Sequence, residues 1–206
     1  MVFRKRLGAL LLLLSSCGGE QAPSVSEETQ TPVAAATPNS PEAARYAGSV
    51  RHFLRWYQGH QAELDRLLTA TVSKQGRGDT AHYQVDYARA QRYLDYLTKA
   101  GWFTPQFVRD QAQQFRRRDA DFRRTRQAYG PPVGFGFGWI LYTPQPEKVV
   151  AAALATGRIT ATETGAGQWQ ARVQLPGNGR LVLDWVAAKD SARLETIYPD
   201  GIEQAE

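Results

Sequence analysis

The sequence predicts an α+β domain in which N-terminal helices pack on a curved antiparallel sheet of about four or five strands. Between residues 41 and 129 apolar side chains recur at spacings of three and four, whereas after residue 132 they alternate with a period of two. The dipeptides of Pro176-Gly177-Asn178-Gly179 accept the positive φ that a tight hairpin needs, which places strands on both sides of it. With 42% hydrophobic residues and a mean hydropathy of −0.46, the chain is excluded from the collagen, coiled-coil and multi-span membrane classes.

The first element stands outside that domain. Residues 1–16, MVFRKRLGALLLLLSS, join a basic head to the apolar run Leu7 to Leu14, the plan of a secretory leader. A membrane span needs about 20 apolar residues, and this run is shorter. Leu14-Ser15-Ser16-Cys17 follows and resembles the lipobox of bacterial lipoproteins. The resemblance implies that the Cys17 thiol receives a diacylglyceryl group, that the chain is cut before it, and that the new N-terminus is acylated. The sequence holds a single cysteine, so no internal disulfide can form, and acylation consumes a thiol that would otherwise stay reactive. Each buried methylene contributes about 0.8 kcal/mol, and two or three acyl chains anchor a protein stably without a span. The expected address is the cell envelope, lipid-anchored to a bacterial membrane, the outer one where two are present, with the domain outside the cytoplasm.

Residues 17–40 comprise Cys17 and a tether. Its sequence, GGEQAPSVSEETQTPVAAATPNS, has no aromatic residue, no Lys and no Arg, and it buries too little apolar area to offset ordering. The domain is expected to span 41–206. The full chain carries 25 basic and 20 acidic residues; Arg4, Lys5 and Arg6 leave with the leader, so 22 basic residues remain against 20. That surplus is too small to point to nucleic acid, whose binding scales with clustered positive charge.

Ser40 and Pro41 read as the cap and first position of a helix. Ala43, Ala47, Val50, Leu54 and Tyr57 form its apolar stripe, which is expected to end near Gly59, with a short second helix through Leu64, Leu67 and Leu68. Thr71 to Thr80 reads as an exposed loop. Helical spacing resumes at Tyr83, Tyr87, Ala90, Leu94 and Leu97 and stops at Gly101. The longest helix is expected from Thr104 and Pro105 to Tyr129, with Val108, Ala112, Phe115, Phe122 and Tyr129 facing inward.

Strands are expected at 135–142, 158–163, 168–175, 180–186 and 192–198. Residues 147–156 are Ala-rich and stay open between a short helix and an irregular crossover. Phe53-Leu54-Arg55-Trp56-Tyr57, Lys99-Ala100-Gly101-Trp102-Phe103, the Gly130-Pro131-Pro132 loop and Leu194-Glu195-Thr196-Ile197-Tyr198 look like segments of bacterial lipoproteins with a nuclear-transport-factor-two-like fold. What this resemblance implies is a cone-shaped, cystatin-like or nuclear-transport-factor-two-like arrangement of helix and sheet.

Chemistry is sparse. His52, His60 and His82 stand apart from any close Asp, Glu or Cys, so no metal ligand set is expected, nor any other cofactor. No Gly-x-Ser-x-Gly elbow occurs, and the one thiol lies at the anchor. The run Gly134-Phe135-Gly136-Phe137-Gly138-Trp139 would enter a strand and not a helix, so it reads as a bent edge strand and not as a phosphate loop. Asp119 and Asp121 lie among arginines and read as a solvated ion-pair network. Arg77-Gly78-Asp79 matches an integrin-recognition tripeptide too short to weigh.

Two candidate sites remain. Trp56, Tyr57, Trp102, Trp139 and Trp185 would line the cavity of a cone fold, a place for a small apolar ligand, or else fill its core. Arg116, Arg117, Arg123 and Arg124 would form a basic face for an anionic or protein partner. The leading expectation is a membrane-anchored lipoprotein with a non-catalytic module that binds a ligand or a protein. The alternatives are a small cone-fold hydrolase or isomerase, and an inhibitor or immunity-type protein that binds a secreted toxin or wall hydrolase.

Overall fold

Ser40 accepts the Ala43 N–H through Oγ at 3.1 Å and Pro41 takes the first helical position, and from that cap α1 runs unbroken over Pro41–Ala70. The computed structural model describes residues 40–155, 157–189 and 191–201. The leader, Cys17 and the tether through Asn39 lie outside the described residues. The break expected near Gly59 does not occur. Buried Tyr57, Leu64 and Leu68 prolong the inward stripe of Ala43, Tyr46, Val50 and Leu54. Packing along that stripe outweighs the ~1 kcal/mol by which an exposed helical Gly is worse than Ala.

The expected loop after α1 is instead a hairpin. β1 (Val72–Gln75) and β2 (His82–Val85) pair antiparallel in the register Val72↔Val85, joined through a 3-10 turn at Gly78–Thr80 that Arg77 precedes as its N-cap. Tyr83, expected on a helix, therefore sits in a strand. Its support is non-local: the Tyr83 N–H donates to Gln127 O at 2.8 Å and its hydroxyl to Gly130 O at 2.6 Å. α2 (Tyr87–Ala100) starts later than expected, where Asp86 accepts the Arg89 N–H at 3.0 Å, and stops at Gly101 with φ 75.

α3 (Pro105–Thr125) begins on Thr104 as expected and ends at Arg126, which adopts φ 51, short of Tyr129. The strand expected at 135–142 is replaced by turns carrying one bridge, Gly138↔Thr143. Trp139, Ile140 and Leu141 are buried consecutively, which a half-buried strand with alternating side chains does not permit. The Trp139 indole N–H turns back to Gly134 O at 2.7 Å. Of residues 147–156, left open by the sequence, those through Ala155 belong to α4 (Pro146–Ala155).

The remaining strands appear near their expected places. β3 (Ile159–Gly165), β4 (Gln168–Gln174), β5 (Arg180–Ala188) and β6 (Ser191–Asp200) make an open antiparallel sheet in the order β3-β4-β5-β6. Trp169, Ala171 and Val173 of β4 and Leu181, Leu183 and Trp185 of β5 face the core. Tyr46 of α1 stacks on Trp169 with ring centroids 4.6 Å apart. The outer edge of β6 is met by the α2–α3 linker: Thr104 N–H donates to Leu194 O at 2.9 Å, and Leu194 N–H donates to Trp102 O at 2.7 Å. This pairing consumes edge groups that would otherwise invite another chain. The fold is thus α+β, with four helices, the four-stranded sheet and the separate two-stranded hairpin among the described residues.

Candidate functional site

α3 has two faces built by one spacing. Phe107, Gln111, Phe115, Asp119 and Phe122 point inward, so the inward register starts at Phe107. Val108 and Ala112 are only half-buried and Tyr129 is exposed, contrary to the expected heptad. Two of the five inward residues are polar. Asp119 is 4% exposed, and its carboxylate accepts the Val85 N–H at 3.0 Å and the Tyr87 hydroxyl at 3.1 Å while Arg123 Nη2 lies 3.0 Å away. The expectation of a solvated pair therefore fails for Asp119; it is a buried tie between α3 and the β2–α2 corner. Burial and the Asp119 charge push the Tyr87 phenol above its ordinary value.

The outward face carries a groove of about 620 Å³ lined by Gln106, Arg109, Asp110, Ala112, Gln113, Arg116, Arg117 and Ala120. Gln106, Arg109, Gln113, Arg116 and Ala120 follow at three and four residues, so they share one helical stripe. The small Ala112 and Ala120 leave the depression that the longer side chains wall. Asp110 is occupied by the Gln106 amide at 2.7 Å, and Arg109 donates to Gln106 Oε1 at 2.7 Å. Among the described residues, Arg116 and Arg117 have no ion-pair partner.

The four arginines singled out by sequence therefore divide. Arg116 and Arg117 wall the groove and stay uncompensated. Arg123 serves buried Asp119, and Arg124, with Arg118, serves Asp121. Exposed pairs of the second kind contribute little, about 0 to 1 kcal/mol.

The five aromatic candidates serve as packing: four gather around Phe53, and Trp139 packs apart from them against Phe115 and Phe135. Tyr57, Trp139 and Trp185 are at most 3% exposed, and half-buried Trp56 and Trp102 pack against the same core. Phe53 is the hub: the rings of Trp56, Tyr57, Trp102, Phe103 and Trp185 lie 5.9 to 6.4 Å from it. Edge-on contacts dominate, the arrangement that aromatic quadrupoles favour. Burial raises the Tyr57 phenol well above its usual range, with Asp65 and Glu147 adding to the effect.

The loop 130–146 borders two further concavities that the sequence reading did not anticipate. One, of about 570 Å³, is walled by Pro131, Pro132, Val133, Phe137, Tyr142 and Pro144. The other, of about 270 Å³, has Gln61, Asp65 and Glu147 beside Phe135 and Phe137. Desolvation holds the Asp65 carboxyl above its ordinary value; a Gln61 hydrogen bond opposes this and the Glu147 charge reinforces it. The Gly-Pro-Pro segment with exposed Val133 and Tyr129 was the available signal, masked by the strand assignment.

His52 is exposed, His60 Nδ1 lies 2.7 Å from Trp56 O, and His82 Nδ1 lies 3.0 Å from Thr80 O. Among the described residues no group of three or more His, Cys, Asp or Glu is placed to hold a metal ion, and no helix is long and apolar enough to cross a membrane. No protein-family model, no curated protein and no solved structure matches the chain.

Proposed function

We propose that this chain is a cell-envelope lipoprotein, fastened through acylated Cys17, whose α+β domain is a non-catalytic binding module that docks an acidic protein partner along the outward groove of α3. The observation that carries the reading is the uncompensated pair Arg116 and Arg117 on the wall of a groove floored by Ala112 and Ala120. Every other arginine of the helix's second half except Arg126 is engaged with a carboxylate. Opposite charge on a partner speeds encounter and fixes register.

Two features support a module of this kind. Its interior is filled by the ring cluster around Phe53, and its concavities lie at the surface, where partners dock. The apolar depression at Pro132, Val133 and Phe137 offers a place for a small apolar ligand. The long first helix laid on an antiparallel meander also supports a cystatin-like or nuclear-transport-factor-two-like relationship, which we include in the proposal. The inhibitor or immunity-type role is the form of this reading in which the partner is a secreted toxin or wall hydrolase.

Site-specific photo-crosslinking in the intact cell tests it. A crosslinker at Gln113, on the groove, is expected to give a discrete protein adduct that is lost when Arg116 and Arg117 are changed to Gln. A crosslinker at exposed Ala44 of α1 serves as the control. An equal yield at both positions would remove the groove from the account. A second reading, a small cone-fold hydrolase or isomerase, is favoured by one observation, the desolvated Asp65 beside Glu147 in a cleft; it requires a turnover that Asp65→Asn abolishes.

A further inference from the structure

The face of the four-stranded sheet turned away from the core carries its own cluster of arginines, distinct from that of α3. The ladder fixes its geometry. Thr160, Arg172, Val182 and Tyr198 form one cross-strand row, and Gln174, Arg180 and Asp200 form the next. Arg158, one residue before β3, extends that second row, since the Gln174 N–H donates to its carbonyl at 2.9 Å. Side chains two apart on a strand share a face and stand about 7 Å apart along it. Arg172 is therefore flanked diagonally by Arg158 on one side and Arg180 on the other, within reach of long side chains.

All three arginines, with Thr160 and Gln174, border a concavity of about 340 Å³. Two acids share this face: Asp200, 3.6 Å from Arg180 across the exposed rim, and Asp184, diagonal to Arg172 on β5, whose carboxylate is engaged by Gln170 and Thr196. Arg158 and Arg172 have no ion-pair partner among the described residues. The Gln174 amide nitrogen is turned toward the carbonyls of Leu175, Gly177 and Gly179 in the hairpin turn, which holds that edge of the depression. Three guanidinium groups on neighbouring rows of one face concentrate positive charge at the depression, which favours a small multivalent anion. Guanidinium forks match the oxygens of a phosphoryl group in pairs, and the Thr160 hydroxyl adds a neutral donor.

We propose that Arg158, Arg172 and Arg180 form a binding site for a phosphoryl oxyanion, supplied either as a soluble phosphate or as the phosphodiester of a lipid headgroup. The site is independent of the α3 groove and stands or falls without it.

Calorimetric titration of the purified, detergent-solubilised full chain at constant ionic strength tests the site. The probes are inorganic phosphate and glycerophosphoglycerol, the soluble diester headgroup of phosphatidylglycerol. Saturable binding of at least one is expected, and Arg172→Gln or the pair Arg158→Gln and Arg180→Gln should weaken it about tenfold or more. Arg116→Gln with Arg117→Gln should leave it unchanged. Tighter binding of inorganic phosphate assigns a soluble source, and tighter binding of the diester assigns a headgroup. Thermal melts guard against misfolding: at low salt Arg172→Gln should melt no lower than the parent, and the rise in Tm that the preferred probe gives the parent should vanish. Binding of neither probe above a chloride control, or equal binding by parent and Arg172→Gln, overturns the proposal.

Discussion

The Asp119 carboxylate accepts the backbone N–H of Val85 at 3.0 Å although the two residues are 34 positions apart. Both are buried, so this hydrogen bond fastens the short β1–β2 hairpin to α3 where water cannot compete. An isolated two-stranded hairpin is marginal in water, and this contact, with those of Tyr83, is what makes it persist.

Removing that acceptor orphans a buried N–H and the Tyr87 hydroxyl together. Asp119→Ala is therefore expected to cost about 2 to 4 kcal/mol, and Asp119→Asn less, because its amide oxygen still accepts one bond. Urea midpoints measure the loss. Amide exchange at Val85 should accelerate in both variants while the exchange of β4 and β5 changes far less.

Gln111 makes the opposite case on the same helix face. It is 2% exposed and its Oε1 has no hydrogen-bond partner. A buried acceptor left unmade costs roughly 1 to 3 kcal/mol, so Gln111→Leu, similar in volume, is expected to raise the unfolding free energy by about 1 kcal/mol. A fall in the urea midpoint would mean that the amide has a role the packing does not reveal.

The loop after α3 is pinned at Gly134. Its φ is +83, Trp139 Nε1–H donates to its carbonyl at 2.7 Å, and a Cβ there would collide with the Arg118 guanidinium. The left-handed backbone penalises any L side chain even if Arg118 swings away. Gly134→Ala should cost about 1 to 3 kcal/mol, whereas Trp139→Phe, which removes one hydrogen bond and some volume, should cost less than a full Trp truncation, about 1 to 2 kcal/mol. Near-ultraviolet circular dichroism of the Gly134 variant should report a loosened Trp139.

Alkaline titration separates the tyrosines. Burial raises the phenols of Tyr57 and Tyr93 far above their ordinary value near 10. The unfolded chain loses those protons near pH 10 while the folded chain keeps them. Stability is accordingly full below pH 10 and declines as pH climbs beyond it. Absorbance at phenolate wavelengths should rise for Tyr57 and Tyr93 only together with unfolding. Changing both to Phe should flatten the alkaline limb.

Arg116→Gln with Arg117→Gln should leave stability within about 0.5 kcal/mol of the parent, since exposed charges without partners contribute little to folding. Arg123→Gln, one turn further on, should be distinctly destabilising because it withdraws the cation from Asp119. Chemical unfolding of the two variants side by side distinguishes a partner-facing arginine from a structural one.

Capping and alternation are local signals, and they were legible. Ser40-Pro41, Thr104-Pro105, Gly101 and the Pro-Gly-Asn-Gly turn each fix an element boundary through the backbone of their own neighbourhood, and all four of the later strands followed. Elements held by distant partners were not legible. Val72–Gln75, inside the polar stretch Thr71 to Thr80, pairs as a strand with a partner, β2, that is held by Asp119, Gln127 and Gly130. Conversely Phe135 to Tyr142 alternates like a strand but has no ladder, since its rings are claimed by Phe115 and Phe122 of α3. The arginine face was visible as composition; which arginines stay free depended on Asp119 turning inward, which its place between the inward Phe115 and Phe122 allowed but its charge among arginines argued against.

Intact mass spectrometry of the protein extracted in detergent from its own membranes tests the anchoring claim most directly. The account predicts a chain beginning at Cys17, with residues 1–16 removed and a diacylglyceryl group plus an N-terminal acyl chain added. An intact leader, or a free Cys17 thiol, would contradict it.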